Sequence, residues 1–239
     1  MYEGKTLRGM FHRPAVENLA QVPVVIMLHG FTGSRVESHR LFFHISEELE
    51  RMNVGSLRFD FLGCGESDGD YQEMTVTSLI LQAQEVLRWL NHAGVSNVNV
   101  TVLGYSLGGL VASELVRADK SLGRAILVSP SRPWYLREKH KERFSNKAAE
   151  AVEIGGYLVG RGFYDNLVQH LGDTPFSDEQ QILVIHGTDD NTTPSAIGEE
   201  YLSIPGGTKK FIPISGADHS FNTLAQTHQL LEHITRYLS

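Results

Sequence analysis

Ser106 stands in Gly104-Tyr105-Ser106-Leu107-Gly108-Gly109, which matches G-x-S-x-G. A serine hydroxyl is a weak nucleophile at neutral pH and attacks only when an adjacent base takes its proton. That chemistry is acyl transfer through a covalent intermediate. It needs a histidine, a carboxylate that orients it, and two preorganised N–H donors for the oxyanion. The motif alone is weak, and its setting strengthens it. It directly follows a β-rich run, Val98 to Leu103, and directly precedes a helical pattern, Leu107 to Ala118. A sharp strand-to-helix turn strains the serine backbone and lifts its hydroxyl above the sheet edge. Gly104 and Gly108 are then expected where a Cβ would collide with the neighbouring segment.

The base must be chosen among eleven histidines. Doubly wound sheets carry functional groups at the carboxyl ends of their strands. His219 qualifies, in the turn Gly216-Ala217-Asp218-His219-Ser220 after the last predicted strand. His29 and His186 also end strands, but each precedes a glycine and is expected to shape a loop or bond to backbone. The acid belongs after the preceding strand, in His186-Gly187-Thr188-Asp189-Asp190-Asn191-Thr192-Thr193-Pro194, where Asp189 and Asp190 compete. One oxyanion donor should be the amide of Leu107. The other should come from His29-Gly30-Phe31-Thr32-Gly33, with Phe31 as the expected donor. The order serine, aspartate, histidine along the chain suits this architecture.

The elements that must position these groups alternate. Val24–Leu28, Gly55–Phe59, Val98–Leu103, Ala125–Val128, Ile182–Ile185 and Lys210–Ile214 read as strands buried on both faces. Glu37–Met52, Thr75–Asn91, Leu107–Ala118, Ser195–Leu202 and Asn222–Leu238 carry helical periodicity. Such alternation predicts a parallel, doubly wound α/β sheet, with Lys5–His12 as an added antiparallel edge strand. Residues 131–178 break the rhythm with no clear strand, and a loop that long is usually functional or has helices of its own. The mixed-charge run Arg137–Arg143 within it is expected to be a solvated helix face.

Length and composition bound the rest. The 239 residues suit one α/β domain that needs no disulfide or structural metal. The net charge of −7 argues against a nucleic-acid partner. Cys64 is the single cysteine, which fits a reducing compartment. With a polar start and no apolar run of spanning length, a cytoplasmic protein without a membrane partner is expected.

Taken together, Met27–Gly33, Arg58–Gly69, Gly104–Gly109, His186–Pro194 and Gly216–His219 resemble, in order, the motifs of the α/β-hydrolase superfamily. Within it the chain is most similar to bacterial cinnamoyl and feruloyl esterases, related carboxylesterases and monoglyceride-lipase-like or serine-aminopeptidase-like enzymes. The resemblance implies a mostly parallel sheet with helices on both faces. Its H-G-x-x-D-x-x-V-P pattern places the acid at Asp190, with Thr193 standing where valine is common. It assigns Asp60 and Asp68 to structural loops beside the site. It makes 131–178 a small lid within the single 1–239 domain, in which Trp134, Tyr135, Tyr157 and Tyr164 are candidate substrate contacts. It implies hydrolysis of a small-molecule ester without metal or organic cofactor. A thioesterase or peptidase on the same triad and a non-catalytic binding protein are the alternatives, and homodimerisation stays open.

Overall fold

The computed structural model describes residues 1–16 and 18–239. The sheet is built from β1 (Gly9–His12), β2 (Val24–Leu28), β3 (Gly55–Phe59), β4 (Val100–Tyr105), β5 (Arg124–Val128), β8 (Gln181–Gly187) and β9 (Thr208–Ile214). Among the described residues its order is β1-β3-β2-β4-β5-β8-β9. β1 runs antiparallel to β3, and every other neighbouring pair is parallel. The expected edge strand thus forms only from Gly9 onward. β2 to β5 are almost wholly buried, as central strands covered on both faces are, and β3 and β4 bury Ser56, Arg58 and Thr101 with their apolar residues.

Helices cover both faces. α2 (Val76–His92) and α3 (Leu107–Ala118) lie on one face, where Leu79, Leu87, Leu110 and Leu115 meet Ile26, Val102 and Leu127. α1 (Leu41–Arg51) and α7 (Leu224–Leu238) lie on the other, where Phe42, Ile45, Leu230 and Ile234 meet Met27, Leu103 and Ile126. Capping boxes fix two starts: Thr75 with Ser78 on α2, and Thr223 with Gln226 on α7. α1 begins four residues later than its periodicity suggests. Glu37, His39 and Arg40 all take positive φ, which a helix forbids, and the Glu37 carboxylate reaches back to the Gly30 N–H.

Residues 131–178 hold α4 (Pro133–His140), β6 (Ala151–Ile154), β7 (Tyr157–Gly160) and α5 (Arg161–Asn166). The expectation of no strand here is corrected: β6 and β7 pair as an antiparallel hairpin around Gly155 and Gly156, both at positive φ. Four-residue strands are too short to register as periodicity, although Gly-Gly between apolar residues is a hairpin signal. The charged run is only partly solvated. His140 within it is buried, Arg137 donates to the Tyr164 carbonyl and Lys139 to the Thr192 carbonyl.

The far end of this segment is clasped to the sheet domain by charge. Asp173 accepts from Arg132 at 2.7 and 2.9 Å and from Arg117 at 3.2 Å, and both guanidiniums are buried. Burial alone would raise the Asp173 pKa, but the bonds and charges of Arg132 and Arg117 outweigh it and hold it below the usual carboxylate range. A depressed folded-state pKa contributes stability above the unfolded value, and that stability is lost as pH falls through the folded one. Asp173→Asn is expected to lower urea-unfolding stability at pH 7 by about 2 kcal/mol, because it removes the charge shared by two buried guanidiniums and leaves them to Glu114 and Glu200 alone. It is also expected to shrink the loss of stability on acidification below about pH 4.

Candidate active site

Strand order reverses at β2, whose neighbours are β3 on one side and β4 on the other. The loops leaving β2 and β4 therefore diverge at a crevice, the usual place for a site in an open α/β sheet. Leu28 and Gly104 are register partners there. Ser106 sits between β4 and α3 with φ 55° and ψ −117°, a region that costs a non-glycine residue about 1–3 kcal/mol. Close packing holds it there. A Cβ on Gly104 would lie 2.0 Å from the Gly108 carbonyl, and one on Gly108 would lie 2.0 Å from the Leu28 carbonyl. Both crowded glycines are where the motif led us to expect them.

Ser106 Oγ is 3.0 Å from His219 Nε2, and His219 Nδ1 is 2.6 Å from Asp190 Oδ2. Asp190 is buried, and its Oδ1 accepts the Thr192 and Thr193 N–H groups at 2.8 Å each. Burial would raise its pKa, but hydrogen bonds from His186 and His219 together with the Thr193 amide hold it well below the usual range. Asp189, the competing acid, is exposed and bonds to Thr188. His219 reaches Ser106 because the loop after β9 crosses the ends of its neighbours. A Cβ on Gly187 would lie 2.3 Å from the Ala217 carbonyl, so only glycine lets that loop pass. The Tyr105 hydroxyl donates to the His219 carbonyl at 3.2 Å. On the far side, Gln226 Nε2 of α7 donates to the Gly216 carbonyl and Thr227 Oγ1 to the Phe221 carbonyl.

The β2 loop offers one amide to this centre. The Gly30 N–H donates to Glu37 Oε1 at 2.6 Å and the Thr32 N–H to the Tyr71 hydroxyl at 2.9 Å. The Phe31 N–H lies between these two bonded amides. Gly30 is close enough to the serine that an added Cβ would be 3.2 Å from the Ser106 Cβ. Leu107 opens α3, where backbone N–H groups have no helical acceptor and favour negative charge. His29 is buried and spans the loop, with Nδ1 against the Gly30 carbonyl and Nε2 accepting the Phe61 N–H. Burial pushes its pKa down to about 4. Asp60 takes Arg35 and the Arg35 and Glu66 amides, a loop-building role, while Asp68 pairs with Arg8. Cys64 is buried and burial pushes its thiol up to about 12, which leaves it inert. Among the described residues no three His, Cys, Asp or Glu side chains converge as a metal site would need.

The four aromatic candidates of the inserted segment part company. The Tyr135 hydroxyl donates to the Thr192 carbonyl at 2.7 Å, beside Asp190. Tyr157 packs on Tyr71 at 4.4 Å between centroids, and Tyr71 packs on Phe31 at 5.7 Å. Trp134 bonds to Glu200, and Tyr164 stacks on Phe144, so these two join the segment to itself and to the domain. Sequence reasoning missed Tyr71 and His140, which surround the Phe31 ring together with Phe163, an aromatic of the inserted segment. They lie in three separate segments, and no spacing rule unites them. It also missed Glu37, whose place inside an apparent helix concealed it.

Burial pushes the Glu37 carboxyl from its ordinary 4.5 up to about 7, against the Gly30 and Ser38 amides that favour its charged form. The folded state therefore binds more protons than the unfolded state between those values, and stability declines as pH rises through that window. Glu37→Gln keeps an acceptor for Gly30 without the charge. It is expected to be more stable than the parent by about 1–2 kcal/mol at pH 8, with the gain fading towards pH 5. Thermal melts at the two pH values check this. Asp190→Asn is expected to lower kcat about 10⁴-fold towards any substrate whose turnover requires Ser106, since the amide selects the wrong imidazole tautomer.

The fold is similar to that of Est1E from Butyrivibrio proteoclasticus, solved with ferulic acid bound: TM-score 0.81 and 19% identity, covering 99% of this chain and 95% of that one. It is also similar to mouse alpha/beta hydrolase domain-containing protein 10, with TM-score 0.82 and 17% identity, covering 100% and 96%. In sequence, the lysophosphatidylserine lipase ABHD12 of Danio rerio is 26% identical over 219 residues, 83% of this chain and 54% of that protein. YfhR of Salmonella typhi is 26% identical over 232 residues, 91% and 71%. The chain thus spans about half the length of the ABHD12 relatives it matches. A family model described as the alpha/beta hydrolase family matches residues 25–181, and on that match, over more than half its length, the protein belongs to the α/β-hydrolase family.

Proposed function

We propose that the protein is a serine carboxylic-ester hydrolase acting on small or aromatic acyl esters. The observation that carries this is one imidazole within hydrogen-bonding distance of both the Ser106 hydroxyl and the Asp190 carboxylate. His219 takes the proton as Ser106 attacks the ester carbonyl, and Asp190 stabilises the imidazolium. The tetrahedral oxyanion rests on the Phe31 and Leu107 amides, each worth about 3 kcal/mol of transition-state stabilisation. His219 then gives its proton to the leaving alcohol. Water repeats the sequence on the acyl-enzyme and regenerates Ser106.

An aromatic acyl group is favoured by the rings around the oxyanion loop: Phe31, Tyr71, Tyr157 and Phe163 form one contiguous cluster. Tyr135 is assigned to the other side of the pocket, near the acid turn. The ferulic acid of Est1E is an aryl acid of this kind, and the lipase name of ABHD12 also denotes ester cleavage. No helix among the described residues is long and apolar enough to cross a membrane.

The test is turnover of p-nitrophenyl acetate and of an aryl-acid ester such as methyl ferulate, with Ser106→Ala beside the parent. Ser106→Ala is expected to lower kcat by at least about 10⁴-fold. Equal rates for the two proteins would remove Ser106 from the mechanism. Acyl-CoA and aminoacyl-amide substrates run in parallel, and a higher kcat/KM on either class would replace the ester reading.

A further inference from the structure

His186 is the buried group for which the proposed chemistry gives no account. It is the penultimate residue of β8, its side chain is fully buried, and its Nε2 faces two oxygens: Asp190 Oδ2 at 3.1 Å and the Thr193 carbonyl at 2.8 Å. Both are acceptors, since Asp190 is held ionised, so Nε2 must carry the proton and donate to both. The opposite nitrogen, Nδ1, has no partner. It is pressed against α6 (Ser195–Glu199), where a Cβ on Gly198 would lie 2.3 Å from it. The ring is thus confined to one tautomer and one orientation.

We infer that His186 is a positioning residue that acts through Asp190 to weaken the pull of that carboxylate on His219. This rests on the esterase reading of the site. Asp190 Oδ2 serves two imidazoles at once, while Oδ1 is taken by two backbone amides. Each further donor on a carboxylate disperses its charge and lowers its basicity. The His219 imidazolium is then stabilised less than a dedicated carboxylate would stabilise it. The enzyme accordingly keeps its activity further into the acid range. Other groups face the pair. Lys139 and Tyr135 come from α4, Tyr105 from β4, Asp218 precedes the base, and Glu37 lies beyond Tyr105. Among the described residues only His186 shares Oδ2 with the base.

The experiment is the pH profile of kcat/KM for p-nitrophenyl acetate, with His186→Leu, His186→Asn and His186→Gln beside the parent. The Gln amide nitrogen falls where Nε2 lies, whereas the shorter Asn amide stops near Nδ1. Leu and Asn are expected to move the acid limb up by about half to one pH unit. Activity would then fall about 3–10-fold more at pH 6 than at pH 8. Gln is expected to restore the parental limb. Gly198→Ala keeps His186 but pushes its ring off line, and is expected to shift the limb the same way even if a His186 variant fails to fold. A limb unmoved by Asn and by Gly198→Ala, or a Gln variant that matches Asn, overturns the inference. Labelling of the parent with a fluorophosphonate separates the two levels. Failure to label Ser106 removes the esterase reading and this inference with it, whereas labelling with an unmoved limb removes only the role of His186.

Discussion

A full negative charge lies in the interior at Asp190, and the arrangement around it follows from that constraint. An ionised carboxylate away from water is tolerated only when each oxygen is bonded. The turn Asp190–Thr193 meets half the requirement by folding two amides back onto Oδ1, and imidazoles meet the rest at Oδ2. His219 is therefore held by more than the shape of its loop. The carboxylate needs the donor, and the donor needs the carboxylate to fix its tautomer. Removing either leaves the other in an environment built for a pair.

Backbone strain supplies the second fixed point. Ser106 has a positive φ because β4 must end and α3 must begin within one residue, while α3 packs onto the end of β2. The surrounding core, formed by Leu28, Leu107, Leu110 and Val111, is buried densely enough to hold that conformation. Ser106 is thus positioned by the sheet, Asp190 by a self-bonded turn, and His219 by a loop that crosses between them. Three different kinds of local structure converge because parallel strands put all their exits on one edge.

Much of this was legible in the residues. Ser106 and Asp190 each follow a strong apolar run and His219 a weaker one, so strand ends could be located to within about two residues and the polar groups beyond them counted. Asp190 is separable from Asp189 in part through the family pattern. Burial is what distinguishes them in three dimensions, and two adjacent aspartates carry no burial signal of their own. The inserted hairpin was illegible because four-residue strands are shorter than any reliable period. Glu37 was hidden by apolar spacing that continues through it, since a periodic pattern cannot show that a side chain turns backwards to an earlier loop. A strand-end His186 before glycine suits a loop former or a backbone bond, and its bond to the Thr193 carbonyl fits the latter, but its second bond depends on how the turn folds back. The rings about Phe31 come from segments more than twenty residues apart, so only tertiary packing assembles them.

The bonds from α7 to the loop that carries His219 tie the placement of that imidazole to the helix. Gln226 and Thr227 lie in its first turn, and each holds a carbonyl of the segment from Gly216 to Phe221. The capping box that starts the helix also stands at the hinge of this loop. Local unwinding there would loosen the imidazole while the central strands stayed intact. α7 thus moors the loop that carries His219, so the placement of that imidazole depends on the packing of this helix as well as on the sheet beneath it.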